Sequence, residues 1–153
     1  MKVEFESESL CREIGQYSFS KCQHLTSVNI PSSVTLISGY AFENCSSLSE
    51  ITLPNSIGLI AGYAFQYCSA LTNIVLPNTV PRIMQYTFYN CSNLKSITIP
   101  KTVKVIFESA FDGCESLTDV YYEGTEEEWD SIVIHENNTY LTNATIHYNS
   151  IVE

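Results

Sequence analysis

A single phrase recurs along the chain: "FENCSSLSEITLP", from Phe42 to Pro54, returns as "FQYCSALTNIVLP" and again as "FYNCSNLKSITIP". Its cysteine stands at Cys22, Cys45, Cys68, Cys91 and Cys114, 23 residues apart at every step. Phe19, Phe42, Phe65, Phe88 and Phe111 keep that interval, as do Leu25, Leu48, Leu71, Leu94 and Leu117. So do two further apolar columns, Val28, Ile51, Ile74, Ile97, Val120 and Ile30, Leu53, Leu76, Ile99, Tyr122. Pro31, Pro54, Pro77 and Pro100 follow in phase, and Ile14, Ile37, Ile60, Ile83 and Ile106 complete the register. A fixed period of about 20–50 residues marks stacked coils, each burying its apolar face against the next.

Within the phrase L-x-x-[VI]-x-[IL]-P, Ile51 and Leu53 point one way and Glu50 and Thr52 the other. That alternation predicts a half-buried strand, which the proline ends. Stacking places these strands side by side in a parallel sheet, about 4.8 Å apart. "YAFQYC", apolar at Ala64, Phe65 and Cys68, has the spacing of one helical or 3₁₀ turn. The columns of Ile57 and Ile60 fit a second short strand or an extended turn. The fold class expected is α/β and mostly β: a solenoid of about five coils with a parallel sheet and short helical turns.

The stretch "SSVTLISGYAFENCSSLSEITLP" resembles the BspA-type leucine-rich repeat, a 23-residue variant of that solenoid class, over about Cys11 to Tyr122. "YYEGTEEEWDSIVI…NATIHYN" resembles the closing segment of bacterial members. The resemblance implies a right-handed leucine-rich repeat superhelix. Family members are mostly surface proteins that bind other proteins, so it also implies a non-enzymatic, adhesion-type protein-binding module at the cell surface or secreted.

The chain of 153 residues is expected to form one leucine-rich repeat domain: 1–10 a degenerate N-terminal cap, 11–122 the repeats, 123–153 a C-terminal cap. Terminal coils expose apolar edges and unpaired strands, so caps are needed. At the N-terminus, subtracting one period from Val28 lands on Phe5, which places a first strand over residues 3–7. At the other end Thr125 and Glu128 have capping-box spacing, so a short helix starts after Thr125. Trp129, Ile132 and Val133 then form a lid over the last coil, and Ile146 and Tyr148 alternate in a final strand.

Charged residues are 16% of the chain and the net charge is −10, which disfavours bare nucleic acid and anionic membranes as partners. No apolar run approaches the roughly 18 residues of a membrane span, so membrane insertion is not expected, and "MKVEFESESL" is no signal peptide. A cytoplasmic location therefore stays open beside a surface one, and a monomer is expected over an oligomer.

The cysteine column reads as stacked, reduced thiols filling the same small space in each coil. Parallel Cβ vectors at about 4.8 Å exceed the roughly 3.5–4.5 Å of a disulfide, and no close ligand pair suits zinc. Neither a metal nor any other cofactor is expected. His24, His135 and His147 belong to no catalytic motif, and nucleophile elbows, phosphate loops and dinucleotide fingerprints are missing, so no catalytic residue and no enzyme activity is expected.

Two outward columns would line the strand face: Ser27, Glu50, Asn73, Ser96, Asp119, and Asn29, Thr52, Val75, Thr98, Tyr121. This is the expected partner-binding surface, with Tyr121 as its anchor and His147 extending the second column. A second candidate is the ladder Tyr17, Tyr40, Tyr63, Tyr86, which would grip a peptide or sugar face or simply cover the turn beneath it. Charge is uneven: after Lys104 there is no Lys or Arg, while eleven acidic residues remain. Three functions stay open: a protein-binding adhesin, an intracellular scaffold or assembly protein, and carbohydrate binding through the tyrosines.

Overall fold

The apolar columns wind into a solenoid whose coils each have three sides. The structure, a computed structural model, describes residues 1–6 and 9–150. Residues 7, 8 and 151–153, which fall in the two expected caps, lie outside the described residues.

The first side carries β1 (Lys2–Glu4), β3 (Ser27–Asn29), β5 (Glu50–Thr52), β7 (Asn73–Val75), β9 (Ser96–Ile99), β11 (Asp119–Tyr122) and β13 (Thr145–His147). These seven strands enclose about six turns. Pairing is parallel and in step with the period, Ser27↔Glu50 and Ser96↔Asp119. The second side carries two-residue strands: β2 (Glu13–Ile14), β4 (Leu36–Ile37), β6 (Leu59–Ile60), β8 (Arg82–Ile83), β10 (Val105–Ile106) and β12 (Val133–Ile134). Both ladders stop once in mid-solenoid, so the first side is split into β1-β3-β5 and β7-β9-β11-β13, and the second into β2-β4-β6 and β8-β10-β12.

The third side, where one helical or 3₁₀ turn was expected, is a run of tight turns. Cys45 N–H donates to Phe42 O and Leu48 N–H to Cys45 O, the three-residue spacing of a 3₁₀ turn. Left-handed residues prevent the run from becoming a helix: φ is +59° at Tyr40 and +55° at Asn44, and +65° and +61° at Tyr63 and Tyr67 in the next coil. Inside, Phe65, Cys68, Leu71 and Val34 are fully buried, and Ile74 retains 2% exposure. Each such aliphatic or aromatic side chain contributes about 1.5–3 kcal/mol when removed from water.

Two expectations at the ends need correction. β1 pairs Val3, not Phe5, with Val28, so the first coil is two residues longer than the period. A shift of two keeps every side chain on its face, which is why the slip is tolerated. At the C-terminus, α1 (Glu126–Asp130) starts at Thr125 with both capping-box bonds formed. Trp129 and Ile132 are buried, and Trp129 meets Tyr122 edge-on at 5.2 Å. Val133 is not part of that lid: it opens β12 opposite Val105 and is 55% exposed, because the strand turns its side chain outward. After α2 (Thr139–Thr142), β13 joins β11.

Candidate interaction face

The strand side presents its two outward columns to the surface, with one exception. Glu50, Asn73, Asn29, Thr52, Val75 and Tyr121 are exposed, and Ser27, Ser96 and Asp119 are half-buried. Thr98 is only 8% exposed; the ladder sets it between Val75 and Tyr121, whose larger side chains flank it. Thr98 therefore offers a partner little.

At the C-terminal end the ladder brings three predicted residues together. Tyr121 lies directly across from His147, and their rings stack at 4.7 Å and 15°. The Nε2 of His147 is 2.7 Å from Asp119 Oδ1, and Thr118 Oγ1 donates to Asp119 Oδ2 at 2.8 Å. These bonds, His147 first, hold the Asp119 carboxyl below its usual range. All three side chains keep an open side: Tyr121 is 39% exposed, and the His147 and Asp119 side chains 41% and 37%. A rigid aromatic pair with an ionised acceptor is suited to a cationic side chain, through ring-face attraction and a charged hydrogen bond.

Toward the N-terminal end the face is hollowed. An open depression of about 510 Å³ is floored by β3 and β5 and flanked by Lys2, and another of about 350 Å³ lies between β5 and β7. Neither was foreseen from the sequence. The first is lined mostly by polar and charged side chains with Val28 and Ile51 between them, and the second mostly by the apolar Ile51, Leu53, Ile74 and Val75.

The tyrosine ladder forms as continuous stacks. Successive centroids of Tyr17, Tyr40, Tyr63 and Tyr86 are 5.0, 4.6 and 4.9 Å apart, with planes within 18° of parallel. Each inner ring spends both faces on its neighbours, leaving only edges for a ligand. Sugar stacking needs a free ring face, so the arrangement suits the covering role.

The thiols do more than fill space. Cys45, Cys68, Cys91 and Cys114 each donate to the carbonyl of the phenylalanine 26 residues earlier, at 3.0–3.2 Å. Burial pushes Cys45 and Cys114 up to about 12 and raises Cys68 and Cys91 well above the ordinary value. Such thiols are poor nucleophiles and poor metal ligands. Among the described residues no group of three or more His, Cys, Asp or Glu is placed to hold a metal, and no helix is long and apolar enough to cross a membrane.

The buried Asn138 went unrecognised in the sequence. Its Oδ1 accepts the Phe111 N–H, the bond that Phe88 N–H makes to Ala110 O one coil earlier. Its Nδ2 donates to Phe107 O and His135 O, each at 2.9 Å. One side-chain amide thus stands in for a missing coil's backbone.

The profile of the BspA type leucine rich repeat region matches residues 12–142 in six copies. The chain belongs to the BspA-type leucine-rich repeat family. Among solved structures this repeat chain is similar to a leucine rich cell surface protein of Faecalibacterium prausnitzii, at 31% identity and a TM-score of 0.78, covering 87% of this chain and 34% of that one. It is similar also to the leucine rich repeat protein of T. pallidum, at 36% identity and a TM-score of 0.69, covering 71% of this chain and 51% of that one. It spans about a third and a half of those proteins. No curated protein sequence matches it. BspA-type repeats of this kind point to an interaction or surface module.

Proposed function

We propose that the chain is a non-enzymatic protein-binding module of a surface-displayed or secreted adhesion-type protein. Residues 1–10 and 123–153 act as the caps of one repeat domain, and the strand face docks the partner. The observation that carries this reading is the Asp119–His147–Tyr121 cluster, a fixed aromatic pair beside a carboxylate, on the side of the solenoid with the longer strands. The similarity to a protein described as a cell surface protein supports the location. With no Lys or Arg after Lys104 and eleven acidic residues there, the partner presents a basic side chain to this end.

A second reading, an intracellular scaffold, draws on the six free cysteines, which suit a reducing compartment. Four of them are buried and bonded to carbonyls, so they would also stay reduced outside the cell, and this weakens the argument.

The test is a binding screen against extracellular proteins with wild type, Tyr121→Ala and Asp119→Lys side by side. Partners that lose at least about ten-fold in affinity with both variants, at unchanged melting temperature, support the strand face. Partners that bind all three equally would exclude it.

A further inference from the structure

Both backbone ladders are interrupted in the same interval of the solenoid. β5 pairs with β3 but not β7, and β6 pairs with β4 but not β8. One cause on the second side is chemical. Thr35 N–H donates to Arg12 O, Gly58 N–H to Thr35 O and Lys104 N–H to Pro81 O. The donor that should join Gly58 to the next coil is residue 81, a proline, which has no N–H. On the first side, Ser49 and Glu50 N–H donate to Thr26 O, and Lys95 and Ser96 N–H donate to Thr72 O. No such bond runs from Thr72 or Asn73 to Ser49 among the described residues.

The core reaches the surface at this seam. Ile51 and Leu53 are only half-buried, although their columns are otherwise closed on both sides: Val28 is 3% exposed, Ile74 2%, Ile30 4% and Leu76 3%. The hollow of about 350 Å³ lies over them. The turn side is intact across the same interval. Tyr63, Phe65 and Tyr67 N–H donate to Gln85, Thr87 and Tyr89 O at 3.2, 2.9 and 2.8 Å. The Cys91 thiol bonds Phe65 O at 3.2 Å, and Tyr63 stacks on Tyr86 at 4.9 Å. At the corner between the two strands, Thr79 Oγ1 still bonds Ile57 O at 2.6 Å.

One side fastened and two sides unladdered is the construction of a hinge. We infer that the solenoid flexes at this seam, the coils before and after it rotating about the tyrosine side so that the strand face opens and closes between Thr52 and Val75. Local opening takes place where the fewest backbone bonds and buried contacts must be given up, and this interval is that place. On the reading that a partner docks on the strand face, the hinge sets the spacing between the two halves of the docking surface, and a partner that bridges them closes it. The hinge itself does not depend on that reading.

The experiment is amide exchange on the free protein, resolved by NMR, for wild type and Pro81→Thr, which returns the donor that Thr35 supplies one coil pair earlier. In wild type the amides of Ile51, Leu53 and Val75 exchange at least about ten-fold faster than those of Val28, Ile97 and Val120, while Phe65 and Phe88 stay protected. In Pro81→Thr, exchange at Val75 slows severalfold although the substitution is on the other ladder, a coupling that a merely unbonded amide would not show. Equal protection of all these strands in wild type overturns the hinge, and so does a folded Pro81→Thr protein in which Val75 exchanges as before. Should Pro81→Thr not fold, methyl relaxation dispersion decides on wild type: exchange broadening of Ile51 and Leu53 but not Ile97 supports the hinge, and its absence overturns it. Binding data do not enter, so failure of the hinge and failure of the docking face are read separately.

Discussion

The Sγ of Cys68 donates to the carbonyl of Phe42 at 3.2 Å, and the same oxygen accepts the Cys45 N–H, also at 3.2 Å. From Cys45 onward the cysteine of each coil therefore adds a donor to an acceptor of the coil before it, which explains why a small apolar residue alone would not serve. Cys68→Ala removes the donor and leaves a void, and is expected to cost about 1–3 kcal/mol. Cys22→Ala, half-buried in the first repeat, should cost less than about 1 kcal/mol. Urea melts of the two variants check the ordering; equal losses would remove the hydrogen bond from the explanation.

Alkali should weaken the fold through the same column. Burial raises these thiols, Cys45 and Cys114 to about 12, above an ordinary value of 9.0. The folded chain thus keeps protons that the unfolded chain gives up. Stability is fully present below about pH 9 and falls as pH climbs from there toward 12. The urea midpoint should drop over that window, and drop less steeply in Cys68→Ala. A variant as alkali-sensitive as wild type would assign the effect to other groups.

Asn138→Ala takes an acceptor from the buried Phe111 N–H and a donor from the partly buried carbonyls of Phe107 and His135. Unsatisfied buried groups of this kind should cost about 2–4 kcal/mol together. Thermal unfolding is the check, and a shift of under a degree would contradict the role given to this amide.

Tyr63 combines a φ of +65° with two stacked neighbours. Both Tyr63→Ala and Tyr63→Gly lose the stacks, but only glycine relieves the left-handed strain, which is about 1–2 kcal/mol for other residues. Glycine should be the milder substitution, the reverse of the usual order. A more stable alanine variant would mean that the strain is not there.

The Asp119 carboxyl, held down by His147 and Thr118, should titrate below the ordinary 3.8 in an NMR pH series. In His147→Ala it should move back up. Its contribution is present at neutral pH and is lost as pH falls through the depressed value. An unmoved titration would dissolve the proposed contact centre.

The solenoid was legible in the sequence because its evidence is repeated: any one column could mislead, but Phe65, Cys68, Leu71 and Ile74 say the same thing in every coil. What happens once was harder to see. The first strand was placed by subtracting a period, yet two extra residues before Cys11 put Val3 where Phe5 was expected. Asn138 lies where the 23-residue columns no longer continue in register, so no column betrays it. The closeness of Asp119 to His147 depended on whether β13 would join the sheet. Pro81 was visible as the one proline outside the proline column, but a missing hydrogen atom shows its effect only when the coils are stacked.

The contacts of Asn138 have an implication for how such arrays change length. Its amide addresses main-chain groups of Phe107 and Phe111, which every coil offers at the same positions whatever its side chains. A contact that reads backbone alone is indifferent to which coil precedes it. Whole units of 23 residues could then be gained or lost upstream by in-frame duplication or deletion, with the Asn138 segment fitting unaltered.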